Sequence, residues 1–542
     1  MKLQSSLLSA AILGVLALSS AAATAATDQA AVARARAAID AGSLPAVARH
    51  ANDAFIAKDS NVDMNGTEHV RFQRTWNGMP VIGGDFIVHN RNGRTEVTTN
   101  LDTSFRPSAT PKLRRDEALG VAGARFGTRA TAPADARLVV FAVRRQPTLA
   151  WEVVYEGIRA DQTPTEMHYF IDASSGEVLA AWDAVHTATP GPDTSTCPGG
   201  VSANGKGNTL GAGRVSLRTT SCANAYQLRD LTRGGGSTTN MLNRTTGNGT
   251  IFTDADNQWG SGTLSDMATI GAEAHYGVAA TWDWFASRFG RMGIADDGQG
   301  ALARVHYGRN YANAFWRDSC FCMTFGDGDN GVSVNPLTAL DVAAHEMSHG
   351  VTSTTAGLIY SDESGGLNEA TSDIFAVAVE FAAKNDADAG DWMIGEKVYA
   401  NNDGTVALRY MFKPSLDGAS YDCYEPGMGL DDVHFTSGVA NHFFYLLSEG
   451  AVVPEGFGPG TWAGLTPEDM VCNGNTNLGG LGVQTAARIW YYALVNYMLP
   501  TTDYAGARAA TLQAAADLHG AGSSAYKKVA RAWDAVGVTA DL

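Results

Sequence analysis

Two histidines four residues apart flank a glutamate in His345-Glu346-Met347-Ser348-His349. On a helix, positions i and i+4 stand one above the other on a single face, so both imidazoles can grip one metal ion. Zinc suits such ligands, and two neutral nitrogens leave most of its charge uncompensated, so a third, anionic ligand is expected. Zinc brings its bound water to a pKa of about 7, and Glu346, beside His345, is placed to take that water's proton and pass it to a leaving amine. The pentapeptide alone favours a metal site but also fits a helix carrying two hydrogen-bonded histidines, so its flanks decide the matter.

The metzincin pattern needs a glycine three residues after the second histidine and a third histidine six after, and Thr352 and Thr355 occupy those positions. That pattern is excluded. Further on, Gly365-Gly-Leu-Asn-Glu369-Ala-Thr-Ser-Asp373 opens another helical stretch, with Glu369 twenty residues beyond His349. Glu369 is the candidate third ligand. Asp373, one turn on, can accept the free N–H of a metal-bound histidine and fix its tautomer. Three protein ligands leave one position for water, as a catalytic rather than a structural zinc requires.

The elements that must hold these residues have two characters. Helical periodicity marks 341–352, 366–384, 436–449, 483–499, 504–518 and 523–536, whereas 201–334 is glycine-rich with short alternating stretches and one helix, 266–289. A β-rich half followed by a helical half reads as α+β, with a cleft between two lobes. Ahead of it, 27–187 reads as a separate α+β unit: an alanine-rich helix at 30–41, then strand patterns at 69–76, 84–89, 95–100, 138–144, 149–155, 166–171 and 177–182. No constellation of histidines, cysteines or carboxylates stands out there. Residues 187–200, rich in Pro, Gly, Thr and Ser, read as an exposed linker. An inert leading unit on a cuttable linker suggests a proenzyme.

The compartment follows from the first residues. Met1-Lys2, an apolar run over 7–18 and small residues at 21–26 form a secretory signal peptide, too short for an ordinary membrane span. No later segment is long and apolar enough to span a membrane, so a secreted, extracellular product is expected. The resulting division is 1–26 signal peptide, 27–187 propeptide, 188–340 β-rich lobe and 341–542 helical lobe. Six cysteines in an exported chain are expected in disulfides, and no CxxC spacing suggests a zinc ribbon. The net charge of −17 resides almost wholly after Ala188, which argues against nucleic acid and leaves carboxylates to hold cations.

At these motifs the chain resembles the thermolysin family of zinc proteases. Besides the two metal-bearing stretches, Asn313-Ala-Phe-Trp316, Ala356-Gly-Leu-Ile-Tyr360, Asp432-Val-His434-Phe-Thr-Ser-Gly438 and the C-terminal helix match family motifs. Gly78-Met-Pro-Val-Ile-Gly-Gly-Asp85 looks like the family's propeptide, and 166–179 like its PepSY segment. Ala407-Leu-Arg409-Tyr-Met411 is closer to the pseudolysin and vibriolysin branch. The resemblance implies a two-lobed catalytic domain with zinc in the cleft, hydrolysing proteins and peptides before bulky apolar residues. It implies that the chain's own propeptide acts as chaperone and inhibitor.

By the same resemblance, His434 and Tyr360 donate to the oxyanion, and Asp432 orients His434. Asn313 and the backbone of Ala314 bind substrate as an added strand, Arg409 holds a substrate carbonyl, and Val342, Leu408, Leu337 and Ile394 line the pocket after the scissile bond. An aminopeptidase would need a holder for the free amine, for which no motif is visible. An inactive relative would be expected to lack Glu346, a ligand or an oxyanion donor.

One structural calcium is expected. Asp341 lies one turn before His345, and Glu380 lies 11 residues, almost three turns, after Glu369. If the two helices run antiparallel, both acids converge beyond the zinc. Asp391 and Glu396 resemble the family's remaining calcium ligands. Met393 replaces the acid that thermolysin has between them and offers only a backbone carbonyl, which argues against a second ion. Cys197 with Cys222 matches a disulfide of the pseudolysin branch. Cys320 and Cys322 depart from the family; closing their own small ring leaves Cys423 with Cys472, and crossed pairing is the alternative.

Overall fold

The computed structural model describes residues 28–185, 197–400 and 404–541. The expected signal peptide and most of the expected linker lie outside these residues.

The leading unit is one sheet with a helix packed on each part. Its strands are β1 (Asp53–Val62), β2 (Glu68–Trp76), β3 (Met79–Ile82), β4 (Phe86–Arg91), β5 (Arg94–Thr99), β6 (Asp135–Phe141), β7 (Thr148–Ile158), β8 (Pro164–Asp172) and β9 (Val178–Asp183). They lie in the order β5-β4-β2-β3-β6-β7-β8-β9, with β1 also paired to β2. Helix α1 (Gln29–Asp40) is capped by the Asp28 carboxylate, which accepts from the backbone N–H groups of Ala30 and Ala31. Its buried stripe of Ala31, Val32, Ala35 and Ile39 packs on Val70, Phe72, Phe86 and Val88. Helix α2 (Arg115–Phe126), absent from the sequence reading, sets Ala118 and Ala122 on Val153, Tyr169 and Ile171.

The β-rich lobe holds a long antiparallel hairpin of Val201–Asn208 with Arg214–Ser221 and a mixed sheet whose edge strand is Ala314–Arg317. Helix α3 (Met267–Phe289) crosses it, starting at the Asp266 cap and ending at Gly290. The helical lobe comprises α4 (Leu340–Ser353), α5 (Asp362–Ala383), α6 (Val433–Thr436), α7 (Gly438–Glu449), α8 (Val483–Asn496), α9 (Tyr504–His519) and α10 (Ser524–Ala535).

Helix α4 joins the two cores. Leu340, Ala344 and Val351 pack into the helical lobe, while Val342, Ala343 and Met347 pack into the β-rich lobe. A helix apolar on both sides has little freedom to shift, so the side chains of His345, Glu346 and His349 that it carries are held in place. Helix α5 starts four residues before the expected 366, because Gly365 and Gly366 lie inside it rather than at its start. A Cβ on Gly365 would come 2.4 Å from Cγ1 of Val433, so glycine lets α5 approach the segment that carries His434.

All six cysteines are paired, Cys197 with Cys222, Cys320 with Cys322 and Cys423 with Cys472. No helix among the described residues is long and apolar enough to cross a membrane.

Candidate active site

Helices α4 and α5 run antiparallel, since His345 meets Asp373 while His349, one turn on, meets Asn368. Between them Nε2 of His345 and Nε2 of His349 lie 3.1 Å apart. The Glu369 carboxylate stands 3.4 Å from each of these nitrogens. Two atoms bound to a tetrahedral zinc at about 2.0–2.1 Å are separated by about 3.3 Å, so the three side chains fit that ion without rearrangement. All three are buried.

The outer nitrogens of both rings are fixed. His345 Nδ1 donates to Asp373 Oδ1 at 2.8 Å, and His349 Nδ1 donates to Asn368 Oδ1 at 2.8 Å. Both rings therefore turn Nε2 toward the metal position. Asn368, which the sequence reading passed over, stands directly before Glu369 and also donates to the Leu358 carbonyl at 2.9 Å. Burial would raise the Asp373 carboxyl, but the Arg409 charge and the bond from His345 hold it well below the usual carboxylate range.

Glu346 is 5 % exposed on the same helix. Burial raises its carboxyl, with His345 and His349 partly offsetting the effect. Tyr360 donates from its hydroxyl to Glu369, and that hydroxyl lies 3.3 Å from Nε2 of His434. Asp432 accepts from His434 Nδ1 at 2.7 Å and from its backbone N–H at 3.0 Å. The charge of Glu369, opposed by burial and aided by Asp432, raises the His434 imidazole above its ordinary value.

The cleft of about 630 Å³ is lined from the catalytic side by Asn313, Ala314, Leu337, Val342, Ile394, Leu408 and Arg409 together with the metal cluster. Arg409 is anchored rather than free: Nε and Nη2 donate to Asp373 at 2.8 and 2.7 Å. From the leading unit, Arg159, Asp161, Thr163, Trp182, Asp183 and Val185 line the same cleft. Between Asp161 and Thr163, Gln162 ties the leading unit to the β-rich lobe, accepting from the Arg309 N–H and donating to the Arg309 carbonyl, both at 2.8 Å.

A second acidic cluster lies beyond the metal position, with ligand atoms of Glu380, Asp388 and Glu396 all within 4.8 Å of one another. The sequence reading had placed Asp341, Glu380, Asp391 and Glu396 here and had missed Asp388, three residues before Asp391. Among the described residues Oε1 of Glu380 has no hydrogen-bond partner, and the one cation beside the cluster is the partly exposed Lys397, whose Nζ lies 3.6 Å from Oδ1 of Asp388. Asp341 and Asp391 stand outside the tight triad, where they accept from the backbone N–H groups of Gly395 and Met393. Met393 buries its side chain in the helical core. Burial and mutual repulsion push Glu396 up to about 10, Asp341 to about 7 and Asp391 to about 6. A hard divalent cation bound among them would offset that repulsion.

The fold and the cluster between α4 and α5 define a two-lobed α+β metallopeptidase, and sequence comparisons agree. Residues 204–353 match the family described as thermolysin metallopeptidase, catalytic domain, and 356–538 its alpha-helical domain. Residues 53–97 match the fungalysin/thermolysin propeptide motif. The chain is similar to a transglutaminase-activating metalloprotease of Streptomyces mobaraensis, 46% identical over 495 residues, covering 90% of this chain and 61% of that protein's length. It is also similar to thermolysin of Alicyclobacillus acidocaldarius subsp. acidocaldarius, 34% identical over 495 residues, covering 88% of this chain and 84% of that protein. Among solved structures, the precursor of protealysin from Serratia proteamaculans matches with a TM-score of 0.43 and 32% identity, covering 56% of this chain and 87% of that one.

The chain belongs to the thermolysin family of metallopeptidases, made with a propeptide. That membership implies zinc-dependent catalysis.

Proposed function

We propose that the chain is the precursor of an exported zinc endopeptidase whose metal is held by His345, His349 and Glu369 and whose general base is Glu346. The observation that carries the reading is the spacing of 3.1 Å and twice 3.4 Å among the three ligand groups. Zinc, when bound, supplies a Lewis acid that polarises a carbonyl and lowers the pKa of water.

The chain's own residues do the rest. Glu346 takes the proton of the attacking water and delivers it to the leaving nitrogen, and burial, which raises the proton affinity of its carboxyl, supports that role. Tyr360 and His434, 3.3 Å apart, donate to the oxyanion, and one such donor can be worth about 3 kcal/mol. Ala314 opens the edge strand, so a substrate can add to the sheet there with Asn313 beside it. With Nε and Nη2 of Arg409 on Asp373, Nη1 is the donor for a substrate carbonyl.

Leu337, Val342, Ile394 and Leu408 form an apolar wall, which favours cleavage before bulky apolar residues. Residues 27–187 act as the propeptide, and their position in the cleft supports an inhibitory role. One calcium is held by Glu380, Glu396, Asp388, Asp391 and Asp341, with Met393 offering a backbone carbonyl.

The test is zinc analysis of the mature enzyme with hydrolysis of casein and of end-blocked peptides, before and after chelation. Stoichiometric zinc and chelator-sensitive internal cleavage are expected. Chelator-insensitive cleavage, or activity only on free amino termini, would contradict the reading.

A further inference from the structure

Strand β2 reads His69-Val70-Arg71-Phe72, an alternation in which Val70 and Phe72 join the core under α1. Such a strand is expected to wet its polar face. Here His69 is 3 % exposed and Arg71 9 %. What covers them is the end of α8 in the catalytic unit, far along the chain from the cleft residues. Arg71 Nη2 donates to the Val495 carbonyl at 3.2 Å, and Asn61 Nδ2 donates to Asn496 Oδ1 at 2.7 Å. The Tyr492 hydroxyl donates to Asp63. The Tyr497 ring lies 5.4 Å from His69 and 5.1 Å from His89, centre to centre.

At the middle of this contact Nδ1 of His69 and Nδ1 of His89 are 2.8 Å apart. One must donate and the other accept, so the pair can carry at most one positive charge while docked. The outer nitrogens are also engaged, His69 Nε2 with Asp63 Oδ2 at 3.2 Å and His89 Nε2 with Thr98 Oγ1 at 2.8 Å. Two imidazolium rings would set N–H against N–H in a site closed by Tyr497.

We propose that the leading unit, once cut from the enzyme, is held at this second surface as well as in the cleft, and that protonation of the His69–His89 pair releases it. The proposal rests on the reading of 27–187 as a propeptide. Burial, with the neighbouring His69 and Arg71, lowers the docked His89 to about 3. A solvated imidazole titrates near about 6.5. The docked state therefore binds fewer protons than the separated pieces, and docking weakens as pH falls below that ordinary value.

The other titratable groups around the pair are Asp63 and Arg71 on the propeptide side and the neutral Tyr492 and Tyr497 with Asp517 on the enzyme side. Asp517 accepts from the Tyr497 hydroxyl at 2.5 Å. Glu96, the cross-strand neighbour of His89, is exposed. Asp59 and Asp85 act on Arg71. Burial raises Asp85 to about 6, against the attraction of Arg71, and that group acts in the opposite direction. A comparison with a His89 variant isolates the pair from it.

The experiment uses the full-length Glu346→Gln chain with a specific cleavage sequence placed in the 187–200 linker, cut to leave two associated pieces. Their dissociation constant is measured at pH 7 and pH 5. One imidazole released from a depressed to an ordinary pKa weakens binding by roughly 25-fold over that interval. In the His89→Gln chain, whose amide can still accept from His69 but does not titrate, the change should be smaller by about that factor. Tyr497→Ala, made on the enzyme side, should likewise flatten the dependence by letting water reach the pair, even if His89→Gln folds poorly. Equal pH dependence in the parent and both variants would overturn the proposal. Because the readout is association of an inactive chain, it fails independently of the zinc-protease reading.

Discussion

Oδ1 of Asp373 lies 2.8 Å from Nδ1 of His345, and the same oxygen accepts from Nη2 of Arg409 at 2.7 Å. One carboxylate thus sets the His345 ring and anchors the cationic wall of the cleft. Oδ2 accepts from Nε of Arg409 and from Nδ2 of Asn441, both at 2.8 Å. Asp373→Asn keeps the shape but removes the charge that Arg409 needs when buried. Zinc affinity should fall by about 10–100-fold, measured by competition with a chelator of known affinity. Unchanged affinity would mean that Asp373 serves packing alone.

The pH profile of kcat/KM should be bell-shaped. Glu346 must be ionised to act as base, and burial raises its carboxyl, so activity is lost as pH falls through a value above the ordinary 4.5. His434 must carry a proton on Nε2 while Nδ1 bonds Asp432, so activity is lost as pH rises and the imidazolium gives up that proton. His434→Ala should lower kcat by about 100–1000-fold and remove the alkaline limb. Asp432→Asn should shift that limb toward lower pH.

Calcium should matter more for stability as pH rises. Without a cation the raised Glu396, Asp341 and Asp391 bind more protons folded than unfolded, so the calcium-free chain loses stability as pH climbs above the ordinary carboxylate range. The rise in Tm on adding calcium should therefore be larger at pH 8 than at pH 5. Titration should find one tight ion per chain, and Asp388→Asn should weaken it and shorten the thermal half-life. Two tight ions, or no effect of Asp388→Asn, would contradict the site as drawn.

Peptide-library profiling should show Leu, Phe or Ile after the cleaved bond. An apolar pocket discriminates by roughly 1–3 kcal/mol per methylene. Leu408→Ala should shift the preference toward larger side chains, and a preference for Asp or Lys in the parent enzyme would rule the pocket out.

The metal helix was legible because its chemistry and its period coincide: the expected 341–352 became Leu340–Ser353. The start of α5 was misplaced because adjacent glycines read as a boundary, whereas packing against Val433 requires them inside the helix. Helix α2 escaped notice because its buried positions are alanines, which leave a faint apolar stripe. Asp388 sits in a loop with no periodicity to place it. The His69–His89 pair joins strands 20 residues apart under a helix end 400 residues further on, and no local pattern in the sequence encodes that contact.

Most depends on Glu346 being the base at a zinc held by His345, His349 and Glu369. The most direct test is to purify the full-length Glu346→Gln precursor and follow both zinc content and self-cleavage. The account predicts one zinc per chain, as in the parent, with no self-cleavage and loss of peptide hydrolysis. Maturation of the purified variant at the parent's rate, with zinc in place, would contradict it.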